Sequence, residues 1–237
     1  MINKIGVIIP AAGQGRRMRG TENKVFLDLD GRSILLRTLD IFQGLPEICA
    51  IVIAVGGTEK ERVQTLVDGR RNVKVVVGGS CRQESVAEAL AVLPNEAEYV
   101  LVHDAARPLL PRAGLEAFLQ EAKGLDAVIM AVPVKDTLKR VNEDHIVLET
   151  PPREEWWSAQ TPQMFRRDRL EEAHAAARAM GFQSTDDASL LEWRGYPVKI
   201  LPGWYENIKI TSPEDIIWAR ALLEARQQRR ADECGSV

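Results

Sequence analysis

The stretch "IGVIIPAAGQGRRMRG", residues 5–20, joins a continuous apolar run to a glycine-rich turn and then to basic residues. Its first residues are β-branched apart from Gly6 and do not alternate with polar ones. That is the pattern of a strand buried on both faces of a mainly parallel sheet. Gly13 and Gly15 follow at once and let backbone approach an anion closely. Arg16, Arg17 and the nearby Lys24 can neutralise charge there. A strand end, a bare turn and adjacent cations describe a phosphate site; the bland alternative is a strand–helix turn with solvated arginines. Two familiar phosphate loops do not fit. Gly15 is followed by Arg16 and Arg17, without the Gly-Lys-Ser/Thr of a P-loop, and Met18 stands where a dinucleotide fingerprint has its third glycine. The latter disfavours an NAD-dependent dehydrogenase.

Similar apolar runs recur in "CAIVIAV" (49–55), "VKVVV" (73–77), "YVLVHD" (99–104) and "DAVIMAVPV" (126–134). Helical segments lie between them. In "TEKERVQTLVDG", Val63, Leu66 and Val67 share one face and Gly69 ends the helix. "SCRQESVAEALAVL" carries Ser80 and Gln83 in capping-box spacing. "SPEDIIWARALLEAR" opens with Ser212 as N-cap and Pro213 as first helical residue. Strand–helix alternation through residue 134 predicts a doubly wound α/β fold with a mainly parallel sheet.

The alternation breaks at residues 135–163, where "TLKRV" and "HIVLET" can pair as a hairpin around Asn142–Asp144. The segment reads either as a long surface loop or as a protruding β-arm that packs on a partner subunit or covers a site. Its adjacent tryptophans argue against disorder. The tail from residue 227 is charged and aperiodic, and is expected to fray. With neither a linker nor a repeat, residues 1–237 read as a single domain.

Composition narrows the partners. A net charge of -3 disfavours a broad nucleic-acid surface. No apolar run approaches the ~20 residues of a membrane span, and the N-terminal apolar stretch is too short for a signal peptide. Cys49, Cys81 and Cys234 are far apart and lack metal-site spacing. The expectation is a cytoplasmic protein.

Three further clusters carry chemistry. Gly78 and Gly79 precede a capped helix that includes Ser85, forming either an anion or base-edge site or a plain connection with Arg82 in water. Asp104 follows a buried strand, where ligands bind in open α/β sheets; beside phosphates it suggests a Mg²⁺ ligand. Arg107 offers a planar fork for phosphate. His103 reads as a structural neighbour, His145 as an arm residue and His174 as a helix-surface residue. Thr137, Arg153 and Lys209 are scattered, the last in "ENIKIT", read as a short alternating strand.

Eight pieces in order, "PAAGQGRRM", Lys24 in "NKVFLDL", "GGSCRQESV", "HDAARP", "VPVKDTLKR", "QTPQMF", "TDDASLLE" and "ENIKIT", span residues 10–211. Together they resemble the 2-C-methyl-D-erythritol 4-phosphate cytidylyltransferase family. The resemblance implies a homodimeric nucleotidyltransferase with a Rossmann-like fold of the nucleotide-diphospho-sugar transferase type and an arm at residues 135–158. It implies CTP on the loop of Ala11, Ala12, Gly13 and Gly15, with Gly79 and Ser85 helping to read cytosine. Arg17 and Lys24 correspond to stabilisers of charge at the α-phosphate, and Asp104 to the magnesium ligand. Arg153 and Lys209, joined by Thr137, correspond to residues that position the polyol phosphate, with Thr137 and Arg153 serving the partner's site. Two positions depart from the family pattern: Asn23-Lys24-Val25 replaces a common Pro-Lys-Gln, and Glu206 replaces a common aspartate. The rival readings are a ribitol-5-phosphate cytidylyltransferase and a non-catalytic nucleotide-binding regulator.

Overall fold

The structure, a computed structural model, describes residues 4–13 and 23–234. The opening apolar run is strand β1 (Ile5–Pro10), and the other four runs are β2 (Ile48–Val55), β3 (Val73–Val77), β4 (Tyr99–Val102) and β5 (Ala127–Pro133). β1 lies between β2 and β4 and is parallel to both, so that Ile8 aligns with Val52 on one side and Val102 on the other. β3 extends the parallel sheet beyond β2.

Period-two geometry sends successive strand residues to opposite faces. Val7, Ile9, Ile51, Ile53 and Leu101 pack on one face with Leu35, Val63 and Leu115. These last three come from α1 (Ile34–Phe42), α2 (Lys60–Leu66) and α4 (Arg112–Glu121). Ile8, Val52, Val100 and Val102 pack on the other face with Val86, Leu170 and Leu190. Those belong to α3 (Arg82–Leu90), α5 (Arg167–Met180) and α6 (Asp187–Trp193). Apolar burial on both faces explains why the runs are continuous, and the doubly wound expectation holds.

The segment after β5 divides. β6 (Arg140–Val141) and β7 (Val147–Glu149) form the expected hairpin, a separate two-stranded sheet. Nearly every residue from 135 to 159 is exposed. The arm is shorter than 135–158, because Trp157 and Ser158 pair with Pro133 and Val132 in the central sheet. They open β8 (Trp157–Arg166), a strand absent from the sequence reading, which runs antiparallel to both β4 and β5. With β9 (Lys199–Pro202) beside β5, the seven-stranded order is β3-β2-β1-β4-β8-β5-β9. The sheet is thus mainly parallel, with one reversed strand. Ile129 aligns with Gln163 and Ala131 with Ala159, so Gln160, Thr161 and Pro162 oppose Met130 alone. A bulge tolerates Pro162, which has no N–H to give the ladder.

Other local expectations shift. "ENIKIT" is irregular loop, not strand. Leu66 turns outward while Val63 and Val67 are buried. The cap of α3 is Cys81, whose Sγ accepts from Glu84 N; Ser80 instead donates its N–H and hydroxyl to the Glu84 carboxylate, 2.7 Å each. α7 (Pro213–Cys234) starts at the expected proline but continues far past residue 227. Its end consists mostly of good helix formers. It is also tied down, Arg226 to Glu206 and to the Leu109 carbonyl, and Gln227 to Asp30.

Gln163 shows what β8 does for the fold. Its Oε1 accepts from the N–H groups of Asp187 and Ala188, and its Nε2 donates to Asp186, so one side chain seats the start of α6. Replacing it with leucine strands two buried donors, each costing about 1–3 kcal/mol. Gln163→Leu should therefore lower stability by about 2–4 kcal/mol in urea unfolding; a loss below about 1 kcal/mol would show that α6 is seated by other contacts.

Candidate active site

The C-terminal ends of β1, β3, β4 and β9 lead to loops that meet around one cavity of about 390 Å³. This is where open α/β sheets bind ligands. Pro10, Ala11, Ala12 and Gly13 supply one wall, Gly79–Arg82 with Ser85 a second, and Asp104–Ala106 the floor. Lys24, Lys209 and Thr211 complete the lining. A Cβ at Gly13 would meet nothing within 4 Å among the described residues. A Cβ at Gly79 would lie 2.2 Å from the Glu84 Cβ. Only glycine lets the loop after β3 press against α3. Ser85 is buried at the start of that helix and donates to the Cys81 carbonyl at 2.8 Å, leaving its lone pairs for a ligand.

Lys24 is presented by a short 3-10 turn. Asn23 caps it by accepting from Val25 N, while its Nδ2 donates to the Ala11 carbonyl and to Glu59. Val25 is buried in the core. The departure from Pro-Lys-Gln therefore has a local physical account: Asn23 binds the lysine turn to the end of β1.

Asp104 is 7% exposed, and cations surround it. Its Oδ2 lies 2.7 Å from Lys209 Nζ and 3.7 Å from Arg107 Nε, and its Oδ1 lies 3.1 Å from Arg82 Nε. Burial alone would raise its pKa. Arg82, then Lys209 and Arg107, outweigh burial and hold the carboxyl well below its usual range. Burial likewise pulls against the Arg82 charge, but Asp187 and Asp104 overcome it and push that guanidinium up. Arg82, for which the sequence also allowed a place in water, is thus a bridge between two carboxylates. Arg107 does not line the cavity; it buttresses it, donating to the Asn207 carbonyl at 2.7 Å. Burial lowers its pKa despite Asp104.

The sequence reading missed the residues that hold these loops. Thr161 Oγ1 accepts from Asp104 N at 3.0 Å. Asn207, fully buried, donates to the Thr161 carbonyl and to Gln160 Oε1, which also accepts from Trp204 N. That anchors the loop bearing Lys209. The available signal was "QTPQ", a polar run that enters the apolar "MF".

His103 is sealed in the core. Its Nε2 lies 3.0 Å from the Arg107 carbonyl and its Nδ1 3.2 Å from Thr161 Oγ1, which assigns the neutral tautomer with Nε2–H donating. Burial pushes its pKa down to about 4. His174 is buried rather than on the helix surface as expected, and burial lowers its pKa too.

Not every expected site residue meets here. Thr137 and Arg153 are exposed on the arm and do not line the cavity. Arg153 donates to the Lys135 carbonyl at 3.3 Å. Glu206 is held by Arg226 and Arg229, away from the lining. Gly15, Arg16 and Arg17 lie outside the described residues. Among the described residues no cluster of three acidic, histidine or cysteine side chains could cage a metal, and Asp104 is the one carboxylate lining the cavity. That donor set fits Mg²⁺, which is commonly bound by one or two carboxylates plus substrate phosphates and water. No helix among the described residues is long and apolar enough to cross a membrane.

A profile of the 2-C-methyl-D-erythritol 4-phosphate cytidylyltransferases matches residues 5–225. A relative of that name from Desulforamulus reducens is 44% identical over 229 residues, covering 95% of this chain and 98% of the relative. Another, from Symbiobacterium thermophilum, is 46% identical over 226 residues, covering 94% and 95%. The crystal structure of 4-diphosphocytidyl-2C-methyl-D-erythritol synthase from Anaerococcus prevotii superposes with a TM-score of 0.83 at 32% identity, covering 93% of this chain and 98% of that one. The 2-C-methyl-D-erythritol 4-phosphate cytidylyltransferase from Thermus thermophilus gives 0.76 at 34% identity, covering 92% and 98%.

The buried neutral histidine sets a pH dependence. The unfolded chain takes a proton on this residue near pH 6.5, whereas the folded chain holds it off to about 4. Its contribution is intact above 6.5 and is lost as pH falls toward 4. At pH 5 it should cost about 2 kcal/mol relative to pH 7.5. Urea unfolding at the two pH values measures this, and His103→Gln should remove most of the difference; an unchanged difference in the variant would place the effect elsewhere.

Proposed function

The chain belongs to the 2-C-methyl-D-erythritol 4-phosphate cytidylyltransferase family and is a CTP-dependent cytidylyltransferase of the non-mevalonate isoprenoid pathway, and on that premise we propose how its residues divide the work. CTP lies in the strand-end cavity. Its triphosphate runs along Ala11, Ala12, Gly13 and Gly15, and its cytosine edge meets Gly79 and Ser85. The observation that carries this assignment is the convergence of Lys24 and Lys209, backed by Arg82 and Arg107, on a cavity with a single lining carboxylate among the described residues.

A phosphate oxygen of 2-C-methyl-D-erythritol 4-phosphate attacks the α-phosphorus of CTP, the bond to pyrophosphate breaks, and 4-diphosphocytidyl-2-C-methyl-D-erythritol forms. The nucleophile is already anionic at neutral pH, so no general base is required. His103, beside the floor, is fully buried and committed to hydrogen bonds, which suits a structural role. The barrier is the approach of two anions and the charge that grows at phosphorus. Preorganised cations lower it. Lys24 and Arg17 take the α-phosphate, Arg17 on the strength of its place in the loop. Lys209 takes the acceptor phosphate. Asp104 would hold Mg²⁺, which when bound would supply charge neutralisation.

Thr137 and Arg153 are exposed and are not among the described residues that line the strand-end cavity, which supports their serving the neighbouring subunit of a homodimer. The exposed apolar side chains of Ile146, Val147, Leu148, Trp156 and Trp157 on and beside the arm support that pairing. A net charge of -3 supports the absence of a nucleic-acid partner. The unpaired cysteines Cys49 and Cys81 support a reducing, cytoplasmic location.

Pyrophosphate release with CTP and a panel of acceptors tests reaction and substrate together. Turnover is expected with 2-C-methyl-D-erythritol 4-phosphate, and a clear preference for ribitol 5-phosphate would overturn the acceptor assignment. Lys24→Ala should lower kcat by roughly 10²–10³-fold; near-normal turnover would remove Lys24 from the chemistry. Arg153→Ala should raise KM for the acceptor and leave that for CTP unchanged. A rise confined to CTP would reverse the two subsites.

A further inference from the structure

Arg82 is shared between an acid in the cavity and an acid sealed behind it. Its Nε reaches Asp104 Oδ1 at 3.1 Å, and its Nη1 reaches Asp187 Oδ2 at 2.7 Å. Asp187 is 1% exposed, and neither of its carboxylate oxygens has a hydrogen bond of good geometry. His174 Nε2, at 3.8 Å from Asp187 Oδ1, is itself unbonded, and burial favours its neutral form. Arg82 is therefore the group that neutralises Asp187. A buried carboxylate at such a place is costly unless paired.

The position of Asp187 is set independently of the cavity. Its N–H is held by Gln163, and Asp186 beside it caps α6. The anchor is thus the reversed strand β8, not the ligand loops. An unconstrained arginine beside a carboxylate prefers a two-point contact that occupies both oxygens. Here Arg82 touches Asp104 through Oδ1, while Oδ2 is met by Lys209 at 2.7 Å.

We propose that Asp187 is a positioning residue of the reaction: by drawing the Arg82 guanidinium backward, it limits Arg82 to one oxygen of Asp104 and keeps the other for Lys209 and the substrates. Without Asp187, Arg82 swings onto both oxygens of Asp104 and displaces Lys209. The inference rests on Asp104 belonging to the CTP site.

A double-mutant cycle tests it, with kcat/KM and the CTP dissociation constant read for Asp187→Asn, Asp104→Asn and the double variant. Using both readouts closes the cycle even if Asp104→Asn turns over below detection. Asp187→Asn should lose about 10-fold in the wild-type background and no more than about 2-fold in the Asp104→Asn background, since only coupled sites fail to add. Arg82→Lys in the same cycle covers the case in which Asp187→Asn does not fold. It keeps the charge but lacks the planar fork that presents separate nitrogens to the two carboxylates, and should show the same dependence on Asp104. Effects that multiply in both readouts, or full activity in both Asp187→Asn and Arg82→Lys, would overturn the proposal. If Asp104→Asn itself changes neither readout, the placement of the CTP site fails instead.

Discussion

A carboxylate with almost no water around it stays ionised here because three cations share it. Asp104 is 7% exposed, and Arg82, Lys209 and Arg107 all face it. Each cation comes from a different part of the chain, so the loops after β3, β4 and β9 converge on one negative charge. The shared charge fixes the cations relative to one another, which is the kind of arrangement that preorganised electrostatics requires.

The strand that makes this possible runs against its neighbours. β8 lies between β4 and β5, and its Gln160, Thr161 and Gln163 side chains are buried. Thr161 seats Asp104, Gln160 and Asn207 seat the Lys209 loop, and Gln163 seats α6 with Asp187. Three side chains of β8, with Asn207, thus connect the sheet to the Asp104 and Lys209 loops and to α6. Leaving such a network unpaired is costly, and of these four side chains only Asn207 Oδ1 lacks a partner among the described residues.

Much of this was legible from residue order alone. Five apolar runs became five strands within one or two residues, because burial on both faces demands continuous apolar sequence. The glycine pair at 78–79 and the serine at 85 also came together as expected. β8 was not legible: "SAQTPQMF" has neither a continuous apolar run nor a clean alternation, and its proline argues against a central strand. The bulge opposite Met130 removes that objection only once the partner strands are known. "ENIKIT" failed in the opposite way. It alternates like a strand but is irregular, because Arg107 takes the Asn207 carbonyl and the Ala106 carbonyl takes the Ile210 N–H instead of a sheet neighbour.

Sequence by itself determined the strand–helix order and the presence of Lys24, Asp104 and Lys209, since these follow from local pattern and residue chemistry. Only the tertiary structure decided that Arg82 bridges two acids, that Glu206 faces α7 and that Thr137 and Arg153 lie away from their own cavity. The reason is physical. An ion pair depends on distance and burial between residues far apart in the chain, and neither quantity is written in the spacing of one segment.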